Sequence, residues 1–147
     1  MVLPCAFREH RAHRGGQGLR AAYYNSTDLT WPAVHRVDSQ LNFDWGVNAP
    51  IAGINADAFG VRWAGGLLVA AAGTYTLITT SDDGVRVWID DTLVIHSGRQ
   101  PATKLLIEEA RVAVSTPTRK KSPRVSTLAS VKSADGPPVV PTMRRNA

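Results

Sequence analysis

The sequence predicts an all-β fold, and three observations indicate it. Residues 73–80 and 85–89 alternate with a period of two and are rich in residues with high β propensity, which is typical of strands. Between them lies the acidic segment Ser81-Asp82-Asp83-Gly84, and aspartate followed by glycine favours a tight hairpin turn. Residues 19–95 contain no convincing helical periodicity. Two strands joined by an acidic turn are therefore the expected centre of the fold.

Short apolar runs separated by turn signals supply the other elements. Breaks are predicted at Trp31-Pro32, at residues 48–53 and at Ala72-Gly73. Asp90-Asp91 predicts a second tight hairpin turn, because aspartate tolerates left-handed backbone geometry. Several short strands at close intervals favour a sandwich or a barrel. The candidate strands are residues 21–24, 41–45, 59–63, 66–69, 73–80, 85–89 and 93–95.

Charge and composition divide the 147 residues into three parts. Residues 1–17 predict a flexible basic arm, residues 18–97 a β domain, and residues 98–147 a divergent, mostly disordered basic tail that is dispensable for binding. Residues 21–96 carry three Arg and eight Asp, a net charge of −5, whereas residues 97–147 carry ten Lys or Arg and three acidic residues, a net charge of +7. An acidic domain disfavours nucleic acid as the partner of residues 21–96. A separate interpretation is that the two basic ends of the chain bind nucleic acid or another anionic surface.

No apolar run approaches the ~18 to 20 residues that a membrane span requires. The first 17 residues also lack the continuous apolar region of a secretory signal, so either export is not encoded there or the true beginning of the gene product is missing.

A set of short motifs occurs in one order along residues 18–95. They are Gly18-Leu19, Tyr23-Tyr24, Arg36-x-Asp38, Phe43-x-Trp45, Phe59-x-Val61-Arg62-Trp63, Gly73-x-Tyr75-x-Leu77 and Ser81-Asp82-Asp83-Gly84-x-Arg86-x-Trp88-Ile89-Asp90. In this order they resemble the PA-fourteen domain family, named for the anthrax toxin protective antigen and found in glycosidases, other secreted enzymes, toxins and fungal adhesins. The resemblance implies a β-sandwich or barrel that is usually extracellular or on the cell surface and in many members binds carbohydrate.

The resemblance stops near Ile95, after which the family's closing strands have no recognisable counterpart. We therefore expect an incomplete sandwich, and a chain that is a fragment of a larger secreted or cell-surface protein. A frame-shifted or truncated end and a genuine divergent tail both fit residues 98–147.

The resemblance also implies where a sugar binds. In lectin-type members the paired aspartates of the acidic turn hold Ca²⁺, and sugar hydroxyls complete its coordination shell; the corresponding residues are Asp82 and Asp83. Calcium takes about six to eight oxygen ligands, so two carboxylates are too few, and the family's other ligands come from a later loop without a counterpart in this chain. The alternative for both aspartates is a turn that caps its own backbone amides.

Trp31, next to Pro32 in a predicted loop, is the candidate for stacking on a sugar ring, whereas the other tryptophans are expected to pack in strands. No Ser-His-Asp, Cys-His or carboxylate-pair constellation supports catalysis. The expected function is a non-catalytic, calcium-assisted glycan-binding module and not an enzyme. The alternative is a structural or targeting appendage of a secreted glycosidase or other enzyme, without a sugar site of its own.

Overall fold

The computed structural model describes the backbone of residues 6–8, 18–30, 32–68, 71–81, 84–96, 106–114, 124–131 and 142–146. Within these ranges the chain forms ten β-strands and no helix, which confirms the predicted all-β class. The strands are β1 (Ala6–Arg8), β2 (Leu19–Tyr24), β3 (Pro32–Asp38), β4 (Phe59–Leu68), β5 (Gly73–Ser81), β6 (Gly84–Ile89), β7 (Thr92–His96), β8 (Leu106–Val114), β9 (Arg124–Val131) and β10 (Thr142–Arg145).

The strands form two antiparallel sheets, and neither sheet closes into a barrel. The larger one has seven strands in the order β3-β2-β4-β9-β6-β7, with β1 also paired to β4. The smaller one has three strands in the order β10-β5-β8. One hydrophobic core contains side chains of both sheets, among them Trp63 and Val85 of the larger sheet and Leu77 and Val112 of the smaller sheet. The architecture is therefore a sandwich with one apolar interior.

The predicted strands agree with the structure where alternation is strong and differ where it is interrupted. Residues 59–63 and 66–69 were expected as separate strands, whereas β4 continues from Phe59 to Leu68. Residues 41–45 form only a single bridge residue, Phe43. β3 is not predicted, since its first residue, Pro32, reads as a break; proline is compatible with the first position of a strand at a sheet edge.

The acidic segment between β5 and β6 is not the turn of a hairpin. Among the described strands β5 pairs with β8 and β10, whereas β6 pairs with β7 and β9, so the chain crosses from the smaller sheet to the larger one between Ser81 and Gly84. The hairpin prediction is therefore wrong at this position. The second predicted turn is confirmed, since β6 pairs with β7 and both Asp90 and Asp91 have left-handed backbone angles, with φ of 47° and 65°.

Three of the described strands lie in residues 98–147, where the sequence predicts mostly disorder. β8 pairs with β5 along nine residues, and β10 pairs with the other side of β5. β9 lies between β4 and β6 in the larger sheet and pairs with both. The segments that supply these strands are flanked by basic, Ser-rich and Pro-rich sequence, which masks the short strand patterns inside them.

A buried carboxylate, Asp38, joins three elements at one edge of the larger sheet. Its Oδ2 accepts hydrogen bonds from the hydroxyl of Tyr23 at 2.7 Å and from Nε1 of Trp63 at 2.6 Å, and its Oδ1 accepts one from Nε of Arg36. Asp38 is 5% exposed, and Tyr23 and Trp63 are fully buried. Burial, followed by the hydrogen bond to Asp38, raises the pKa of Tyr23. The carboxylate thus has charged and neutral donors that compensate for its burial.

Residues 39–58 cover this edge with aromatic side chains. Phe43 stacks on Trp63 with ring centroids 5.9 Å apart, and on Trp45 with centroids 5.1 Å apart. The guanidinium of Arg36 lies 4.8 Å from the ring centroid of Tyr23 and 5.6 Å from that of Phe43. Trp45 and Trp63 therefore pack as expected, and the long connection is held to the core by ring contacts.

Candidate functional site

The three residues predicted to form the sugar site all lie outside the described residues. They are Trp31, Asp82 and Asp83. The described chain neighbours of Trp31 are Thr30 and Pro32, and those of the two aspartates are Ser81 and Gly84. Ser81 is fully buried and Gly84 is buried as well, so the described ends of the acidic segment are anchored in the core.

Backbone register places these neighbours at one end of the larger sheet. Pro32 pairs with Tyr24, Tyr24 with Gly60, Gly60 with Ser130, and Ser130 with Gly84. These five residues form one row across five strands, called the end row below. The acidic segment, the segment that contains Trp31 and the connection into β4 therefore all meet the sheet at the same end. Sequence spacing alone could not show this, because the row includes β9, which was not predicted.

The end row also gives the separation of the two parts of the predicted site. Adjacent strands lie about 4.8 Å apart, so the four intervals from Pro32 to Gly84 correspond to about 19 Å along the row. This separation between the described neighbours exceeds the width of one sugar ring.

At this end the side chain of Asn25 connects the loop that follows β2 with the loop that precedes β4. Its Nδ2 donates a hydrogen bond to the carbonyl oxygen of Gly53 at 3.1 Å, and its Oδ1 accepts one from the backbone amide of Asn55 at 2.7 Å. Gly60 packs directly against the loop that follows β2, since a Cβ atom at this position would lie 2.9 Å from the carbonyl oxygen of Ser26. The loops that follow β2 and precede β4 are thus fixed against each other and against the sheet.

Asp28 supplies an exposed carboxylate at this end. Its Oδ1 accepts hydrogen bonds from the backbone amide of Thr30 at 3.3 Å and from the Thr30 hydroxyl at 2.9 Å. Hydrogen bonds from Ser26 and then from Thr30 lower the pKa of Asp28, because they favour the charged form. The loop therefore presents a negative charge to solvent, on a residue that the sequence analysis does not single out.

Exposed oxygen donors are present near the end row, but the described residues do not assemble a metal site by themselves. Asn55 and Asp57 are exposed in the connection that leads into β4. Across the described parts of the chain, no group of three or more His, Cys, Asp or Glu side chains is close enough to hold a metal ion.

None of the described residues belongs to a helix that is long and apolar enough to cross a membrane.

The family profile of the PA14 domain matches residues 15–127. This match confirms the resemblance found in residues 18–97 and extends it past β8 and into β9.

Individual relatives include regulators and a sugar-binding domain. The chain is 41% identical over 90 residues to the anti-sigma-I factor RsgI3 of Acetivibrio thermocellus, an alignment that covers 60% of this chain and 14% of that protein. It is 27% identical to a solved anti-sigma factor domain-containing protein, with a TM-score of 0.71, 86% of this chain covered and 41% of the other. The PA14 sugar-binding domain of an RTX adhesin shares the fold, with a TM-score of 0.63 at 14% identity, 89% of this chain covered and 91% of the other. The chain thus spans less than half the length of the two anti-sigma relatives.

Proposed function

The chain belongs to the PA14 domain family, and from this premise we propose that it is a non-catalytic module that binds glycans at the end row of the larger sheet. The observation that carries the proposal is the register that brings the described neighbours of Trp31, Asp82 and Asp83 into one row. A domain of the same fold in an RTX adhesin is a sugar-binding domain, which supports this role without assigning a sugar.

The fixed loops at this end suit glycan binding because they need little ordering when the ligand arrives. The loop after β2 and the loop before β4 share the two hydrogen bonds of Asn25. Binding costs less when the contacting groups are already held in place. Exposed polar side chains, including Asn55 and Asp57, offer hydrogen-bond partners to sugar hydroxyls next to the row.

Calcium is proposed as the link between the acidic segment and the sugar. Two adjacent carboxylates supply two or three of the oxygen ligands that the ion requires, and sugar hydroxyls and water complete the shell. Asp82 and Asp83 are the proposed protein ligands, at the point where the chain passes between the sheets. The buried positions of Ser81 and Gly84 on either side hold the ends of this segment.

Trp31 is proposed as a second contact, for a ring that lies farther along the same glycan. The described neighbours of the two positions are about 19 Å apart along the row, so the second contact is proposed for a different ring from the one held by calcium. The site therefore favours oligosaccharides and polysaccharides. An extracellular or cell-surface location fits such a ligand and is part of the proposal.

A second candidate function follows from the similarity to RsgI3. This chain is 41% identical to that anti-sigma factor over 90 residues, and the alignment covers 14% of the anti-sigma factor. As a second candidate we propose that the chain corresponds to one module of a longer regulatory protein, in which glycan binding provides the signal. The other alternative, an appendage of a secreted enzyme that has no sugar site, predicts no glycan binding at all.

A glycan array tests the proposal and separates it from the appendage without a sugar site. The full chain, labelled and incubated with calcium, is expected to bind a subset of neutral oligosaccharides, and the same array in EDTA is expected to lose that signal because the ion is removed. Absence of binding under both conditions would favour the appendage. Binding that is equal with and without EDTA would place the sugar site away from Asp82 and Asp83.

A further inference from the structure

The outward face of the larger sheet carries a row of basic side chains. Register aligns His35, Ala22, Arg62, Leu128, Arg86 and His96 as successive partners across six strands. The two arginines and the two histidines of this row are exposed, and Arg20 is exposed in the neighbouring row. Arg20, His35, Arg62, Arg86 and His96 are called the basic face below. Because strands are about 4.8 Å apart, the backbone positions of Arg62 and Arg86 lie about 10 Å from each other.

No carboxylate neutralises the basic face from within the sheet. The seven strands contain one acidic residue, Asp38, which is 5% exposed and points into the core. Asp38 forms an ion pair with Arg36. Among the described residues, Arg20, Arg62 and Arg86 make no ion pair with any carboxylate. Their charges are therefore available to a ligand.

The basic face also offers an apolar platform. Trp88 is half-buried on β6, two residues beyond Arg86, and its register partner Leu93 is 45% exposed. Successive residues on one face of a strand are about 7 Å apart, so Trp88 lies close to the arginine row. A flat ring beside arginine side chains can contact the face of a sugar while the guanidinium groups contact its carboxylates.

We propose that the basic face binds an acidic polysaccharide whose sugars carry carboxylate groups, at a site distinct from the end row. Arginine pairs with carboxylate through two parallel hydrogen bonds, which suits isolated charges spaced along a chain. Nucleic acid is the other polyanion that guanidinium groups bind, and the polysaccharide is preferred because the basic face lies on the same sheet as the proposed glycan site, so this choice rests on the proposed function. The basic face lies two residues along the strands from the end row, so the two sites are neighbours on one sheet.

Binding of alginate in EDTA tests this proposal independently of the calcium-dependent site. Alginate carries one carboxylate on each sugar, and its propylene glycol ester is the comparison ligand because esterification removes most of that charge. The unmodified chain is expected to bind alginate at low salt concentration and to bind the ester weakly. Its affinity for alginate is expected to fall as the salt concentration rises. The double variant Arg62→Gln/Arg86→Gln is expected to bind alginate about five- to tenfold more weakly, as expected for two exposed ion pairs.

The control variant Lys120→Gln/Lys121→Gln removes the same number of positive charges from residues 98–147 and is expected to bind alginate nearly as the unmodified chain does. Circular dichroism of both double variants verifies that the fold is retained. Equal weakening in the two variants, equal binding of alginate and its ester, or tighter binding of single-stranded oligodeoxythymidine than of alginate would each overturn the proposal. Loss of the calcium-dependent array signal in Asp83→Asn, with alginate binding in EDTA unchanged, would show that the sites are separate.

Discussion

Deletion of residues 116–147 is expected to abolish cooperative folding, because the deletion removes the strand that joins the two halves of the larger sheet. β9 pairs with β4 over eight residues and with β6 over six. Without it, β6 and β7 lose their only described connection to β2, β3 and β4, and two interior strand edges are exposed. A domain has only about 5–15 kcal/mol of net stability, and the hydrogen bonds lost along both edges of a central strand, at about 1 kcal/mol each, are comparable to that margin.

Circular dichroism during urea unfolding, together with size-exclusion chromatography, measures this effect. The truncated chain is expected to show no sharp transition and to aggregate. A deletion of residues 132–147 is the control, since it keeps β9 and removes β10 from the edge of the smaller sheet. That shorter deletion is expected to lower the unfolding midpoint while a single transition remains. A sharp transition at an unchanged midpoint after deletion of residues 116–147 would contradict the placement of β9, and would restore the expectation of a dispensable tail.

The substitution Asp38→Asn is expected to lower the free energy of unfolding by about 3 kcal/mol. The amide keeps the size of the carboxylate, but it removes the charge that pairs with Arg36 and replaces one acceptor with a donor. If the amide nitrogen takes the place of Oδ2, the hydroxyl of Tyr23 and Nε1 of Trp63 both face a donor inside the core; if it takes the place of Oδ1, Arg36 loses its acceptor. The first arrangement leaves buried donors without an acceptor, and the second leaves a buried donor facing the guanidinium group of Arg36.

Urea denaturation of the variant gives the change in the free energy of unfolding. Asp44→Asn is the matched control, since Asp44 is exposed and its Oδ1 accepts a hydrogen bond from the amide of Gly46 that asparagine can retain. This control is expected to change the free energy by less than about 0.5 kcal/mol. If both variants were equally stable, Asp38 would not have the structural role assigned to it here.

The local patterns of the sequence were sufficient for most strands but not for their arrangement. Alternation identifies β5, β6 and β7, and the two aspartates of the β6–β7 turn were expected to adopt left-handed geometry, as they do. Alternation does not reveal which sheet a strand joins, so the connection between Ser81 and Gly84 was mistaken for a hairpin. β9 escaped prediction because its partners lie far away in sequence, beyond a basic, Ser-rich segment.

The candidate site could be predicted in its residues and not in its geometry. Family resemblance points to Asp82 and Asp83, and loop position points to Trp31, all of which stay predictions. That their described neighbours share a row, about 19 Å from end to end, depends on strand pairing that no local motif encodes. The basic face could not be found from charge counts either, because those counts make residues 21–96 acidic overall.

The most direct test of glycan binding at the acidic segment is a calorimetric titration of an array-identified oligosaccharide into the chain with calcium present. The unmodified chain is expected to release heat on binding, and Asp83→Asn is expected to lose measurable binding, since the substitution removes one of two carboxylates that hold the ion. Asp91→Asn, an exposed control in the β6–β7 turn at the opposite end of β6 from Gly84, is expected to bind like the unmodified chain. Undiminished binding by Asp83→Asn in calcium would contradict the account and place the sugar elsewhere on the domain.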